Sequence, residues 1–269
     1  MPGNTTRHTK RILPRLRSWR RSARWARRKL ARAPRAVRLA ILLAILLPVL
    51  ALANLVYQVI RKPTELFAVV GHALDKEPAD TWRQYGPLFR TYSTGTIAPE
   101  LLAALTQIES SGNPVTRTYW RWRWSFNPFA IYAPASSAVG LTQMIDAAAA
   151  EAARYCIRDH VVTEDGCGPP LLTIRVIPSH AIELASVYLD RNVSAVLARV
   201  DHVTPSAQQK QDLAAVIHLC GAGPATAFAR RNFRMDAGER CGDHLMSAYV
   251  ARVNAMKRQF VRLAADGRS

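Results

Sequence analysis

The stretch from which the fold can be read is Leu101-Leu102-Ala103-Ala104-Leu105-Thr106-Gln107-Ile108-Glu109-Ser110-Ser111-Gly112-Asn113-Pro114. Pro99 suits a first helical position, because the amide hydrogen that it lacks would have no partner there. Gly112 and Pro114 provide the stop. The sequence therefore predicts a helix over 99–111, with a buried face that carries Leu101, Leu105 and Ile108.

Glu109 falls at the edge of that buried face, near the end of the predicted helix. A carboxylic acid at the edge of a core loses part of its hydration, which favours its protonated form. Such a group is suited to donating a proton near neutral pH. The alternative is a surface glutamate that merely lies near a helix end.

Two motifs in a fixed order carry a resemblance to a known family. The first is Glu109-Ser110-Ser111-Gly112-Asn113-Pro114, and the second, within 136–144, is Ala138-Val139-Gly140-Leu141-Thr142-Gln143-Met144. Together they resemble the lytic transglycosylase/goose-type lysozyme family. Tyr249-Val250-Ala251-Arg252-Val253 is similar to the Tyr-Val-x-x-Val segment that closes the family's domain. The resemblance implies a mainly α fold, lysozyme-like α+β with a small β-hairpin or flap, over residues 80–264.

The resemblance also implies that Glu109 is the catalytic acid of a peptidoglycan lytic transglycosylase. Glu109 would protonate the glycosidic oxygen of the β-1,4 bond between N-acetylmuramic acid and N-acetylglucosamine, while the substrate's own acetamido group stabilises the cation. Glu109 would then take the proton of the C6 hydroxyl as the 1,6-anhydro ring closes, so that neither a metal nor a cofactor is needed. Ser110, Gln143 and Tyr249 are the polar candidates for binding the glycan strand.

One motif departs from the family's pattern. Where the family usually has Ala-Tyr-Asn-Ala-Gly-Pro at the sugar site, this chain reads Leu219-Cys220-Gly221-Ala222-Gly223-Pro224. A hydroxyl and an amide that would help to orient substrate or acid are therefore absent at Cys220 and Gly221. The departure therefore leaves a second interpretation open, a non-catalytic module that binds peptidoglycan within an envelope-spanning secretion or conjugation apparatus. The enzyme itself could also serve such an apparatus.

A hydrolytic muramidase is the third alternative. Ordinary glycosidases flank the scissile bond with two carboxylates. Asp146 is the candidate for the second one, with Glu151 on the same predicted helix, although sequence alone places neither. The product separates this alternative from the transglycosylase: a muramidase leaves reducing ends, and a transglycosylase leaves anhydro ends.

Aromatic residues are concentrated in 117–134, between the two motifs. Residues 120–124, Trp-Arg-Trp-Arg-Trp, alternate with the period of a strand, so indoles and guanidinium groups fall on opposite faces. The pattern predicts half of a hairpin or an extended flap. Trp122 and Trp124 are predicted to bind glycan by stacking on sugar rings, while the arginines attract an acidic polymer. The alternative is a strand whose indoles pack on the core.

The N-terminal sixty residues predict a membrane anchor. Residues 1–38 contain 14 Lys and Arg and no Asp or Glu, and so carry +14 of the formal +18. Residues 39–60 follow without a charge and are long enough to cross a hydrocarbon core of ~30 Å at ~1.5 Å per residue. Because basic residues beside a span stay in the cytoplasm, we expect a single-pass inner-membrane protein with a cytoplasmic tail and a periplasmic body.

Two other interpretations of the N-terminal segment carry less weight. A cleavable signal peptide is compatible with Ala51-Leu52-Ala53, but a basic region of 38 residues is unusually long for one. A tail this basic also resembles a nucleic-acid-binding segment. The uncharged span directly after it indicates a topology signal instead, so nucleic acid is not expected as a partner.

All of the cysteines, Cys156, Cys167, Cys220 and Cys241, follow the predicted span. An even number on the oxidising side of a membrane predicts two disulfide bonds. Of the three pairings, proximity in sequence favours Cys156–Cys167 and Cys220–Cys241. A zinc site is disfavoured, since no C-x-x-C or H-x-x-x-H spacing is present.

Local patterns predict the elements around the motifs. The linker, 61–79, should contain one helix over 64–76, and Asp80 should cap the next helix. An Ala-rich helix is predicted over 139–155, with Gln143 in its first turns, and 157–177 should be irregular. Further helices are predicted from Ser179 to about 200 and from 204 to 219, and 265–269 is a C-terminal tail.

Overall fold

The computed structural model describes Trp25 and residues 29–168, 175–200 and 204–267. Most of the predicted basic tail, 1–38, lies outside the described residues, and so do parts of the predicted irregular segment, 157–177, and of the predicted C-terminal tail, 265–269. The chain divides into two units, 1–57 and 58–269. The second unit thus takes in the predicted linker, 61–79.

Helix α1, Arg35–Arg61, contains the predicted span, 39–60. Its most apolar window has a mean hydropathy of 2.8, and no residue of that window is buried inside the protein. The helix is therefore long and apolar enough to cross a membrane, by length and composition.

The second unit is mainly helical, as the sequence predicts. After the end of α1 comes a 3₁₀ helix, Pro63–Val69. The α-helices that follow are α2 (Pro78–Thr91), α3 (Pro99–Ser110), α4 (Pro128–Ile131), α5 (Asp146–Ala152), α6 (Pro178–Leu197), α7 (Ala207–Cys220), α8 (Ala222–Arg230) and α9 (Met246–Asp266).

The strands in the described part of this unit are short and form antiparallel hairpins. β1 (Trp120–Trp122) pairs with β2 (Tyr132–Pro134), which is the hairpin predicted between the two motifs. β3 (Cys156–Arg158) pairs with β4 (Val161–Thr163), and β5 (Arg240–Cys241) pairs with β6 (His244–Leu245). Sequence analysis missed the last two hairpins, because strands of two or three residues are too short to show alternation.

Helix α3 lies in the middle of the core, and its bounds, Pro99–Ser110, agree with the prediction to within a residue. The prediction of a single buried face is wrong, however. Every side chain from Leu101 to Thr106 is buried, whereas Ile108 is only partly buried. Helices α9 and α2 pack against α3, and α6 adds a smaller contact. The helix that carries Glu109 is therefore enclosed on all sides.

Two predicted helices differ from the structure, and Asp80 lies in the first turn of α2 and does not cap it, because α2 already begins at Pro78. Of the helix predicted over 139–155 only α5 forms, and residues 139–145 make turns and a short bridge instead. Gly140 explains the difference: its φ is 82°, and a Cβ there would lie 2.1 Å from the carbonyl oxygen of Arg175. This close, left-handed backbone is incompatible with a helix. The helix predicted over 64–76 is the 3₁₀ helix followed by turns.

Both predicted disulfide pairings are confirmed. Cys156–Cys167 joins β3 to the segment after β4. Cys220–Cys241 joins the end of α7 to β5. The second bond fixes the C-terminal end of α7, which matters because α7 supplies a residue to the candidate site.

Candidate active site

Glu109 lies in the last turn of α3, where its carboxylate meets side chains from two other helices. Tyr249, in the first turns of α9, donates its hydroxyl to Glu109 Oε1 at 2.7 Å. Near the end of α7, His218 places its Nε2 3.5 Å from the same oxygen. The side chains of Glu109 and His218 are 22% and 10% exposed. The three groups are thus enclosed, but solvent still reaches the carboxylate.

Both neighbours act on the same carboxylate oxygen. Among the described residues, no hydrogen bond or ion pair is made by Glu109 Oε2. One oxygen of Glu109 is therefore held in place, and the other is available to exchange a proton with a substrate. A general acid–base needs this combination of fixed orientation and one accessible oxygen.

The predicted direction of the Glu109 pKa is wrong. Burial has the largest single effect and raises the pKa of Glu109, as expected. The hydrogen bond and positive charge of His218, the hydrogen bond from Tyr249 and the positive charge of Arg252 all lower that pKa, and together they exceed the effect of burial. The pKa of Glu109 therefore lies below its ordinary value. The prediction was wrong because sequence patterns did not show these neighbours.

Tyr249 acts as a hydrogen-bond donor in this group. Burial raises the pKa of Tyr249 well above its ordinary value, and the charge and hydrogen bond of Glu109 raise it further. Tyr249 consequently keeps its proton and orients the carboxylate. The hydroxyl that was predicted to bind substrate is thus bonded to the candidate acid itself.

A cavity of about 320 Å³ adjoins this group. His218 lines it together with Gln143 and Gly221, and Tyr188 of α6 contributes a phenol ring. Apolar side chains form most of the remaining wall, among them Met144, Ile145, Ala148, Ile217 and Leu219. Apolar walls with a few polar groups are typical of small-ligand sites. Glu109 is connected to this cavity through its contact with His218.

A larger cavity, of about 680 Å³, lies at the other end of α3. It is lined by Glu100 and Trp82, with Arg83, Arg90 and the last residues of α9. Glu100 and Glu109 are nine residues apart on one helix, which corresponds to about 13.5 Å. None of the residues that contact Glu109 lines the larger cavity, so the smaller one is the better candidate for the substrate site.

Ser110 and Gln143 connect the two sequence motifs. Ser110 is buried and donates its hydroxyl to the carbonyl oxygen of Leu141 at 2.7 Å. The Gln143 side-chain amide donates to the carbonyl oxygens of Thr116 and Gly140, both at 2.9 Å. These bonds hold the second motif against the end of α3. A substrate contact by either side chain stays a prediction, and Gln143 is the better placed because it also lines the cavity.

The departure from the family's pattern at Cys220 and Gly221 has a structural reason. Cys220 is bonded to Cys241, so it holds the end of α7 covalently. Gly221 has φ 78° and ψ −179°, a backbone conformation that is essentially limited to glycine. An asparagine at 221 would therefore be strained in this backbone, and a tyrosine at 220 would remove the disulfide. His218, two residues before Cys220, supplies the polar group at this end of α7 instead.

Trp122 and Trp124 lie on or beside the β1–β2 hairpin. Their exposures are 74% and 105%, so the alternative of core packing is wrong for both. Trp122 stacks on Tyr132, with 4.7 Å between the ring centroids. Within the described residues, no hydrogen bond or ring contact joins either indole to Glu109. Stacking of these indoles on glycan stays a prediction.

The candidates for a second carboxylate lie elsewhere. Asp146 is exposed and forms an ion pair with Arg175. Glu151 accepts a hydrogen bond from Asn192 on α6. No Asp or Glu is among the groups that shift the Glu109 pKa. The described parts of the chain also contain no group of three or more His, Cys, Asp or Glu that could hold a metal ion.

Sequence analysis missed two residues of the site. His218 directly precedes the segment Leu219 to Pro224, so extending that segment by one residue would have found it. Tyr188 lies within α6, remote from every motif, and only the packing of α6 against α7 brings it to the cavity. No sequence signal marks it.

Comparison with models of known protein families and with curated proteins finds no match to this chain. The case for a function therefore rests on the sequence motifs and on the geometry around Glu109.

Proposed function

We propose that this chain is a membrane-anchored peptidoglycan lytic transglycosylase, which cleaves the β-1,4 bond between N-acetylmuramic acid and N-acetylglucosamine and leaves a 1,6-anhydro end. The observation that supports it best is the carboxylate of Glu109, held through one oxygen by Tyr249 and His218. Hydrolytic glycosidases flank the bond with two carboxylates. A carboxylate without an acidic neighbour among the described residues suits a route in which the substrate's own hydroxyl closes the ring.

His218 resolves the difficulty that the lowered pKa of Glu109 raises. A general acid must carry a proton, yet at neutral pH the resting pair is a Glu109 carboxylate beside the His218 ring. We infer that a proton reaches Glu109 from the adjacent His218 ring when glycan binds. Glycan that fills the cavity excludes water, and this disfavours the charged form of the carboxylate. The proton then resides on Glu109, from where it can be donated.

The reaction follows from this pair. Glu109 donates its proton to the glycosidic oxygen, the bond to C1 of the muramic acid breaks, and the acetamido group stabilises the cation. The C6 hydroxyl then attacks C1 and its proton passes to the Glu109 carboxylate. Glu109 thus regains the proton that it donated, so the site is regenerated without water, a metal or a cofactor. Tyr249 holds the carboxylate in orientation through both steps.

We further propose that α1 anchors the protein in the inner membrane, with the basic tail in the cytoplasm and the second unit in the periplasm. The basic residues that precede α1 support this orientation. The two disulfides support exposure of the second unit to an oxidising compartment.

The test is digestion of purified sacculi by the full chain, with mass spectrometry of the released muropeptides. We expect anhydro ends from the native protein and a loss of rate of about 10²–10⁴ in Glu109→Gln, which keeps the shape of the side chain but cannot carry the proton. Glu100→Gln is the matched control, because it makes the same change on the same helix outside the site. It should retain full activity.

Each alternative gives a different product. Reducing ends that depend on Glu109 would identify a muramidase. Tight binding to sacculi without any released product, in native protein and variant alike, would identify a binding module. Anhydro products at the native rate from Glu109→Gln would remove Glu109 from the mechanism.

A further inference from the structure

The tip of the β1–β2 hairpin, residues 119–126, carries large apolar side chains that the rest of the protein leaves uncovered. Trp124 and Phe126 have exposures of 105% and 110%, and Trp122 and Tyr119 are exposed as well. The side chains of Trp124 and Phe126 make no ring contact or hydrogen bond with any other described residue. Burying apolar surface contributes a favourable free energy of about 25 cal/mol for each Å² removed from water. A patch of this kind indicates a binding surface.

The hairpin is bonded, both in its loop and just after β2, to residues at the end of the uncharged run and directly after it. Gln58, in the last turn of α1, donates its side-chain amide to the carbonyl oxygen of Phe129 at 2.6 Å. Lys62 donates to the carbonyl oxygens of Ser136 and Ala138 at 3.3 and 3.1 Å. These bonds tie both the far end of the hairpin loop and the segment after β2 to residues 58–62.

A buried carboxylate strengthens the same attachment. Glu65, in the 3₁₀ helix, accepts hydrogen bonds from Arg117 and from the indole of Trp120, both at 2.8 Å. Lys62 lies 3.4 Å from its other oxygen. Breaking a buried charged pair is strongly destabilising, so the hairpin cannot easily swing away from residues 58–65.

Residues 58–62 mark a depth in the bilayer if α1 is a span. The uncharged run of 39–60 matches the hydrocarbon thickness of ~30 Å, so its last residues reach the boundary between lipid and water. Whatever is bonded to Gln58 and Lys62 lies at that boundary too. From Trp120 to Trp124 an extended chain covers only about 13 Å, so the tip remains within reach of the headgroup layer.

The chemistry of the tip suits lipid headgroups. Tryptophan rings are enriched at membrane interfaces, and arginine side chains extend to reach phosphate groups there. Arg121 and Arg123 are exposed between the indoles, and residues 110–145 contain no Asp or Glu at all. Anionic headgroups attract such a basic segment.

We propose that the hairpin tip, residues 119–126, inserts into the headgroup layer of the membrane that α1 crosses, as a second attachment of the periplasmic unit. This inference rests on the anchor in the proposed function and is independent of the reaction at Glu109. The attachment would give the second unit a contact with the bilayer in addition to the span.

The test uses nitroxide labels on the full chain in vesicles of phosphatidylethanolamine with a minority of phosphatidylglycerol. All of the native cysteines are in disulfides, so a new cysteine takes the label alone. Ser125→Cys reports on the tip, Leu46→Cys on α1, and Val261→Cys on an exposed position of α9. Collisions with oxygen report lipid, and collisions with a water-soluble nickel chelate report water.

We expect the label at 125 to fall between the other two, with more oxygen and fewer nickel collisions than the label at 261 and the reverse relative to the label at 46. Adding Trp124→Ala and Phe126→Ala to Ser125→Cys should return the label to water. A label at 125 that behaves like 261 overturns the inference while leaving the anchor intact. If the label at 46 also reports water, the anchor and the inference fail together. Immobilisation of the 125 label by sacculi without lipid would overturn the inference in favour of glycan.

Discussion

Tyr249→Phe separates the hydrogen bond to Glu109 from everything else that Tyr249 does. The substitution deletes the hydroxyl that donates to Oε1 at 2.7 Å and keeps the buried ring that packs between α9 and α3. No cavity large enough to rearrange the core is created. The expected loss is therefore that of one hydrogen bond to a charged group.

The size of the loss follows from the burial of the carboxylate. A hydrogen bond to a charged group contributes about 1.5–3 kcal/mol. Because the Glu109 side chain is 22% exposed, water can replace part of the lost bond. We therefore expect a loss of about 1–2 kcal/mol in the free energy of unfolding at neutral pH. For a domain of this size that corresponds to a fall of about 2–8 °C in Tm.

The loss should depend on pH in a defined direction. The pKa of Glu109 is lower in the folded protein than its ordinary value, with the hydrogen bond from Tyr249 among the causes. Bonds to the carboxylate thus stabilise the protein above the unfolded pKa, and this stabilisation disappears as the pH falls through the folded pKa. The difference between Tyr249→Phe and the native protein should accordingly persist in mild acid and shrink only at a pH below the ordinary pKa of a glutamate.

Urea unfolding of the full chain in detergent, followed by tryptophan fluorescence at neutral pH and at a pH below the ordinary pKa of a glutamate, measures this difference. Tyr85→Phe is the matched control, since Tyr85 is buried in the same core but contacts no carboxylate among the described residues. It should change little at either pH. Two results would refute the geometry assigned to Glu109. One is an equal loss of unfolding free energy in Tyr249→Phe and Tyr85→Phe, and the other is a loss in Tyr249→Phe that persists unchanged at the lower pH.

Two further substitutions test the site from the side of α7. His218→Gln keeps a hydrogen-bond donor but cannot pass a proton to Glu109, so the pH–rate profile should lose activity at neutral pH and retain it in acid; a profile displaced to higher pH would mean that His218 acts only through its effect on the Glu109 pKa. Gly221→Asn restores the family's amide in a glycine-only conformation, so calorimetry should show a loss of about 1–3 kcal/mol, and a gain in stability would contradict the backbone assigned there.

Some parts of the fold could be predicted because local sequence determines them. The helix that carries Glu109 has a proline at its start and Gly112 and Pro114 at its end, and its bounds are correct. The β1–β2 hairpin follows from strict alternation of Trp and Arg. The disulfide pairings follow from short separations of 11 and 21 residues.

Other parts depend on contacts between distant segments, which a single sequence does not contain. Residues 139–145 have helical composition, but the approach of Gly140 to the backbone of Arg175 prevents a helix. His218 and Glu109 are more than one hundred residues apart, and only the packing of α7 near α3 makes them a pair. The sign of the Glu109 pKa shift was wrong for the same reason, since burial could be predicted and its neighbours could not.

The enclosure of α3 bears on how this site can change over evolutionary time. With every side chain from Leu101 to Thr106 buried, a smaller residue at its leucine positions costs about 2–5 kcal/mol, a large part of the stability of an ordinary domain. The position of Glu109 is therefore almost inaccessible to gradual variation. New specificity would have to arise outside α3, in the segments that line the smaller cavity. Glu109 can be inherited unchanged while its surroundings diversify.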